Sequence, residues 1–283
     1  MKLIAIEGNT QRLDGGAMFG NVPKELWMQW ISPDEKNRIP LATRALLIQT
    51  DDGRNVLCDT GIGAFFEPKL QERYGVQETE HMLLKNLEAL GLKENDIDVV
   101  ILSHLHFDHA GGLLTPYGQG EPRLLFPKAK YYVGNEHWNR ARQPHIRERV
   151  SFVPLIHELL EDSKRLVFIE NQNHRDLNFG INFRYSQGHT IGLLIMEILH
   201  PEAPVFMVND LIPGLPWVHL PVTMGYDRYP EFLVDEKKQL LKEMIQRKGI
   251  LFFTHDPHTA WATVSCDENG RYTASPLKKD DAF

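Results

Sequence analysis

Residues 103 to 112 read Ser-His-Leu-His-Phe-Asp-His-Ala-Gly-Gly, and place His104, His106, Asp108 and His109 within six positions. Imidazole nitrogen and carboxylate oxygen together suit zinc or a similar first-row divalent ion. Histidines crowded beside an aspartate with no ion would repel one another when protonated and gain little when neutral. A polar surface loop that happens to be rich in histidine is the plain alternative, and further donors in suitable contexts later in the chain weigh against it. In an extended segment side chains alternate faces, so His104, His106 and Asp108 can point one way. His109 breaks the alternation unless the chain turns there, and Ala110-Gly111-Gly112 tolerates a turn. The group can then serve two adjacent centres.

The elements that must position these donors are readable as apolar runs ending in polar residues. Residues 96 to 102 read as a buried strand that delivers the cluster at its carboxyl end, where functional residues commonly sit. His189 follows a strand and Gly188 and precedes another apolar strand, 192 to 199, which makes it the candidate third nitrogen ligand of one centre. Residues 204 to 208 form a buried strand ending in Asn209-Asp210. An acid there is costly to bury unless paired or coordinated, and bridging two cations would answer that cost. Strand 250 to 253 presents His255, the last candidate donor. Asp59, at the end of strand 55 to 59, either bonds local amides or orients a ligand histidine through its other ring nitrogen.

Around these lie a strand at 2 to 6 and a β-hairpin, 44 to 50 with 55 to 59, turning through Asp51-Asp52-Gly53-Arg54. Helices are predicted over 80 to 90, 135 to 142 and 235 to 248, with an amphipathic stretch at 152 to 160. Further strands are expected at 130 to 133, 165 to 169, 182 to 185, 260 to 266 and 271 to 274, and an irregular loop at 211 to 230. The glycine-rich stretch from Asp14 to Gly20 reads as a loop carrying exposed Met18 and Phe19, with Trp27 beyond it. It either presents these side chains to a ligand or packs them on the core. No Gly-Lys-Ser/Thr follows, which weighs against a phosphate loop.

The totals narrow the function classes. A chain of 283 residues with 42% hydrophobic and 24% charged residues has ordinary globular composition. Its length suits one or two domains, but no linker divides it, so a single domain over 1–283 is expected. Disorder is expected only at Lys278-Lys279-Asp280-Asp281. A net charge of -7 gives no basic field for nucleic acid, which argues against a nuclease. Cys58 and Cys266 are too few for a disulfide framework and read as small buried hydrophobes. No apolar run approaches the roughly 18 residues of a membrane span, and Glu7 interrupts the opening segment before a signal peptide develops. A cytoplasmic protein is expected.

With Gly-His189, Asp210 and His255 following it, the run from His104 to His109 resembles the metallo-β-lactamase superfamily, over a stretch reaching from Asp59 to His255. Phe107 and the segment Asp14 to Lys24 make the chain most similar to the quorum-quenching N-acyl-homoserine lactone lactonases of that superfamily. The resemblance implies an α+β fold, the four-layer αββα sandwich. It also implies two divalent ions, most readily Zn2+, with Mn, Fe or Co as alternatives. By this resemblance His104, His106 and His189 hold one ion, Asp108, His109 and His255 the other, and Asp210 bridges. Several such lactonases carry a carbonyl-donating tyrosine where this chain has Pro213, and Tyr226, Tyr229 and His219 are the candidates to replace it.

No Gly-x-Ser-x-Gly elbow occurs and neither cysteine lies near a motif, so water is the expected nucleophile. The expected reaction is opening of a lactone by hydroxide held between the ions, with Asp108 passing the proton to the leaving alkoxide. Phe107, Met18, Phe19, Trp27 and Phe65 are the expected apolar walls for the substrate. The alternatives are hydrolysis of a phosphotriester or aryl ester on the same centre, a mononuclear iron oxidoreductase of the same fold, and a non-catalytic metal or ligand sensor. The expected partner is a small-molecule ester or lactone, with no nucleic acid and no membrane. A homodimer is left open.

Overall fold

The computed structural model describes residues 1–277, so the expectation for Lys278 to Asp281 lies outside the described residues. The described residues divide into two compact units, one of residues 1–11 and 42–174, the other of residues 12–41 and 175–277.

Unit 1 opens with β1 (Lys2–Ile6). The chain then contributes β2 (Gln11–Asp14), α1 (Gly15–Phe19), α2 (Lys24–Trp27) and β3 (Arg38–Leu41), and returns to unit 1 as the hairpin β4 (Ala45–Gln49) and β5 (Asn55–Cys58). Helices α3 (Pro68–Tyr74) and α4 (Met82–Ala89) lead to β6 (Val99–Leu102). The rest of the unit comprises α5 (Phe107–Ala110), β7 (Lys130–Gly134), α6 (Asn135–Arg142), α7 (Pro154–Asp162) and β8 (Leu166–Ile169). The six-stranded sheet has the order β1-β4-β5-β6-β7-β8, antiparallel as far as β5 and parallel beyond it. Strand β6, paired in parallel on both sides, is buried at every position, which is why its sequence is a continuous apolar run rather than an alternation. Leu83 and Leu87 from α4 and Ile156 and Leu160 from α7 join the same core as Val100 and Leu102.

Unit 2 continues with β9 (Ile181–Ser186), β10 (Leu193–Ile198), β11 (Val205–Met207), α8 (Pro230–Gln246), β12 (Ile250–Phe252), β13 (Trp261–Cys266) and β14 (Tyr272–Pro276). Its sheet has the order β14-β13-β12-β11-β10-β9, in which β11 and β12 are the parallel pair. Helix α8 starts earlier than the periodicity predicts, because Pro230 occupies the first turn, where its missing N–H costs nothing. It buries Leu233, Leu240, Leu241 and Met244. Lys237, also buried, donates through Nζ to the carbonyls of Trp217, His219 and Val222 and so fastens the irregular loop to the helix.

Three expectations are corrected here. The stretch expected as a loop contains α1, begun by Asp14, whose Oδ1 accepts the Ala17 N–H at 2.8 Å. Met18, Phe19 and Trp27 are buried, not exposed. Phe19 stacks on Trp27 and on Trp217, at 5.4 Å and 4.6 Å between ring centroids, so their aromatic surface is spent on one another. Gly15 is required by this packing, since a Cβ there would lie 2.5 Å from the Trp27 ring. Cys266 is exposed, because β13 is buried only over its first residues, whereas Cys58 is buried and its thiol pushed up by desolvation.

Candidate metal centre

In unit 1 the donor cluster leaves the carboxyl end of β6 in extended form only as far as His106, and residues 107 to 110 then close one helical turn. Asp108 and His109 therefore leave the alternation together, a correction to the extended reading. The glycines that follow lie in a further tight turn, Gly111–Leu113, and also permit close approach. A Cβ on Gly112 would lie 2.0 Å from the Thr60 carbonyl oxygen, and one on Gly111 would lie 2.4 Å from that of Ile62. This proximity lets Thr60 N–H bond the His109 carbonyl at 2.8 Å and Gly112 N–H bond the Gly61 carbonyl at 2.9 Å. Donor atoms of His104 and His106 lie within 4.8 Å of each other, as do those of Asp108 and His109.

The parallel register of β5 and β6 pairs Cys58 with Ile101, which sets Asp59 beside Ser103. Asp59 is fully buried and adopts φ 56°. Its Oδ1 accepts the Ser103 N–H at 2.7 Å, and its Oδ2 accepts the Ser103 hydroxyl at 2.7 Å and His109 Nδ1–H at 2.9 Å. The amide that Asp59 accepts from is thus 44 positions away rather than local, and the same carboxylate orients the His109 ring. Ser103 has one hydroxyl proton and gives it to Asp59, so the Ser103 oxygen 3.0 Å from His104 Nδ1 accepts from that nitrogen. One carboxylate thus fixes the tautomers of His104 and His109, placing the lone pair of each ring on Nε2.

Three supporting residues have no signal in the sequence. Glu148, buried, receives His106 Nε2 at 3.2 Å and Arg140 Nε at 2.7 Å, which leaves the His106 lone pair on Nδ1. His137 Nε2 accepts the Leu105 N–H at 2.8 Å and holds the backbone between two donors. Gln11 Nε2 donates to Asp108 Oδ2 at 2.9 Å. Each lies tens of residues from the side chain it supports, so no local spacing announces it.

In unit 2 the parallel register pairs Met207 with Phe252, and Asp210 and His255 each follow three residues beyond that pair. Equal offsets on two parallel neighbours carry both side chains out at one end of the sheet. Asp210 Oδ1 lies 3.1 Å from His255 Nε2, and Asp210 Oδ2 lies 3.1 Å from His189 Nε2. His189 Nδ1 is held in turn by Asp227 Oδ1 at 2.8 Å, while Asp227 Oδ2 accepts the Met224 N–H at 2.6 Å. Asp227 is a fourth residue that the sequence does not announce, since it lies within an irregular loop. Gly188 lets the chain pass close to α8, where a Cβ would lie 2.5 Å from Leu233 Cα.

The donor chemistry fits metal ions. His104, His106, His109 and His189 each have one ring nitrogen engaged by a carboxylate or a serine backed by one, the arrangement that fixes a ligand imidazole. A carboxylate with a different imidazole at each oxygen is arranged to bridge two cations. Of the expected substrate walls, Phe107 is 8% exposed and joins Phe65, Phe66 and Tyr74 in an aromatic cluster of unit 1. Met18, Phe19 and Trp27 are too enclosed to offer a face. Pro213 accepts the His255 N–H through its carbonyl at 3.1 Å, and Tyr226 and Tyr229 are exposed.

These two sheets and their histidine-bearing strand ends define a class that comparison makes explicit. The model of the metallo-beta-lactamase superfamily matches residues 38–255. The chain belongs to that superfamily and has its α+β fold. It is similar to a probable metallo-hydrolase of Mycobacterium tuberculosis, 30% identical over 40% of this chain, and spans 36% of the length of that relative. It is 26% identical to an N-acyl homoserine lactonase of Bacillus cereus over 78% of this chain and 83% of the relative. A solved structure of a probable metal-dependent hydrolase from Staphylococcus aureus superposes with a TM-score of 0.85 at 29% identity, covering 98% of each chain.

Proposed function

We propose that the protein is a metal-dependent hydrolase that opens a lactone, of the N-acyl-homoserine type or similar. In this reading His104, His106 and His189 would hold one divalent ion, Asp108, His109 and His255 would hold a second, and Asp210 would serve both. The observation that carries it is Asp210, whose two oxygens each lie 3.1 Å from a different imidazole. Zinc suits the set of nitrogen and oxygen donors. Bound ions of this kind lower the pKa of water from about 15.7 to about 7 and polarise a carbonyl.

The chain's own residues supply orientation and proton handling. Asp59, Glu148 and Asp227 keep four histidines in the tautomers that present a lone pair. Gln11 restrains the carboxylate of Asp108, which carries the proton to the leaving alkoxide oxygen. Phe107 and Phe65 provide the apolar wall for an acyl chain. Among the described residues no helix is long and apolar enough to cross a membrane.

A second reading, hydrolysis of an aryl ester or phosphotriester by the same side chains, is favoured by Pro213, which has no donor to offer a lactone carbonyl. Metal analysis with a panel of lactones, aryl esters and phosphotriesters separates the two. Two ions per chain and loss of at least about tenfold in rate after Asp210→Asn and after His106→Ala are expected, since second-row support alone is worth that much. Folded variants that retain full rate would refute the assignment.

A further inference from the structure

A cavity of about 370 Å³ lies within unit 2, bounded by residues 215 to 219, 256 to 259 and 271 to 274 and by Trp30 and Ile31. That volume is in the range of small-molecule sites. Its walls are apolar, with Trp30, Leu215 and Tyr272 prominent, and Trp30 stays 41% exposed.

Its charged lining is lopsided. Arg271 makes no ion pair among the described residues, and the same holds for the side chains of His219 and His258. The acid in the lining, Asp256, has its charge spread over backbone donors, with Leu215 N at 2.9 Å, Thr259 N at 2.8 Å and His258 N at 3.1 Å. Burial, and after it the nearby Arg271 and Lys237 cations, hold the His219 pKa below its ordinary value. A guanidinium presents a planar fork that matches a carboxylate, and an aromatic wall beside it accepts an apolar body.

We infer that this cavity binds a carboxylate ion attached to an apolar chain or ring, with the carboxylate on Arg271 and the apolar part against Trp30 and Tyr272. None of the proposed metal donors lines this cavity, although Asp256 in its lining directly follows His255; the inference stands whichever ester the protein hydrolyses.

Calorimetric titration of the protein as purified, with its metal content measured, tests the inference using hexanoate, acetate and hexan-1-ol. Hexanoate is expected to bind at one saturable site, with acetate and hexan-1-ol at least about tenfold weaker, because each lacks one half of the match. Arg271→Ala is expected to weaken hexanoate by about tenfold or more at unchanged metal content, and Trp30→Ala to weaken it with the charge still in place. Hexanoate affinity that survives Arg271→Ala overturns the inference. So does affinity that vanishes when a chelator strips the metal, for the carboxylate would then sit on the ions. Equal affinity for hexan-1-ol and hexanoate would show an apolar hollow with no role for Arg271, and would overturn it as well.

Discussion

Replacing the carboxylates behind the histidines separates the two proposed metal sites by experiment. Asp227 accepts from two donors, His189 Nδ1 at 2.8 Å and Met224 N at 2.6 Å. In Asp227→Asn one of these donors must face an amide N–H2, whichever way the amide is turned. Asp59 accepts three hydrogen bonds and serves His109 directly and His104 through Ser103. Loss of an outer partner of a metal-bound histidine costs about 10- to 100-fold in metal affinity, or about 1.4 to 2.8 kcal/mol. Asp227→Asn is therefore expected to weaken one ion by that factor and leave the other near its starting affinity. Asp59→Asn should weaken both, because its two histidines belong to different donor sets. Competition against a chromophoric chelator gives both dissociation constants, and far-UV circular dichroism checks the fold. If Asp227→Asn leaves both constants within about threefold of the parent, or Asp59→Asn moves only one, the tautomer argument fails.

Other outcomes follow from the same structure. Gly112→Ala places a Cβ 2.0 Å from the Thr60 carbonyl oxygen, a backbone atom that cannot swing aside. Overpacking of this kind costs about 1 to 3 kcal/mol, so a lower Tm and weaker metal binding are expected, and an unchanged Tm would refute the close-approach reading. Burial depresses His81 and His157 to about 4, with Glu94 opposing the shift at His81 and Arg142 adding to it at His157. Between about pH 6.5 and 4 the unfolded chain binds protons that the native one does not, so stability is full above this window and falls as pH drops through it. His157→Leu should flatten the fall in urea midpoint between pH 7 and pH 5, and an unaltered slope would count against it. Thiol labelling of the native protein should reach Cys266 and spare Cys58, which is buried with a raised pKa. Labelling of both at equal rates would contradict the burial.

What the sequence determined by itself was the part of the molecule whose chemistry is local. His104 to His109 lie within six positions, and apolar runs ending in His189, Asp210 and His255 mark strands that finish in polar residues. The helix over Asn135–Arg142 and the hairpin of β4 and β5 were likewise readable, because periodicity and turn residues act over a few positions. Tertiary structure decided which side chains stand behind the donors. Gln11, Glu148 and Asp227 meet their partners across 97, 42 and 38 positions, distances over which only register and packing have a say. It also decided that Met18, Phe19 and Trp27 are core. An apolar side chain beside a glycine looks the same in sequence whether it faces a ligand or Trp217, and the stacking partner that settles the matter comes from the far end of the chain.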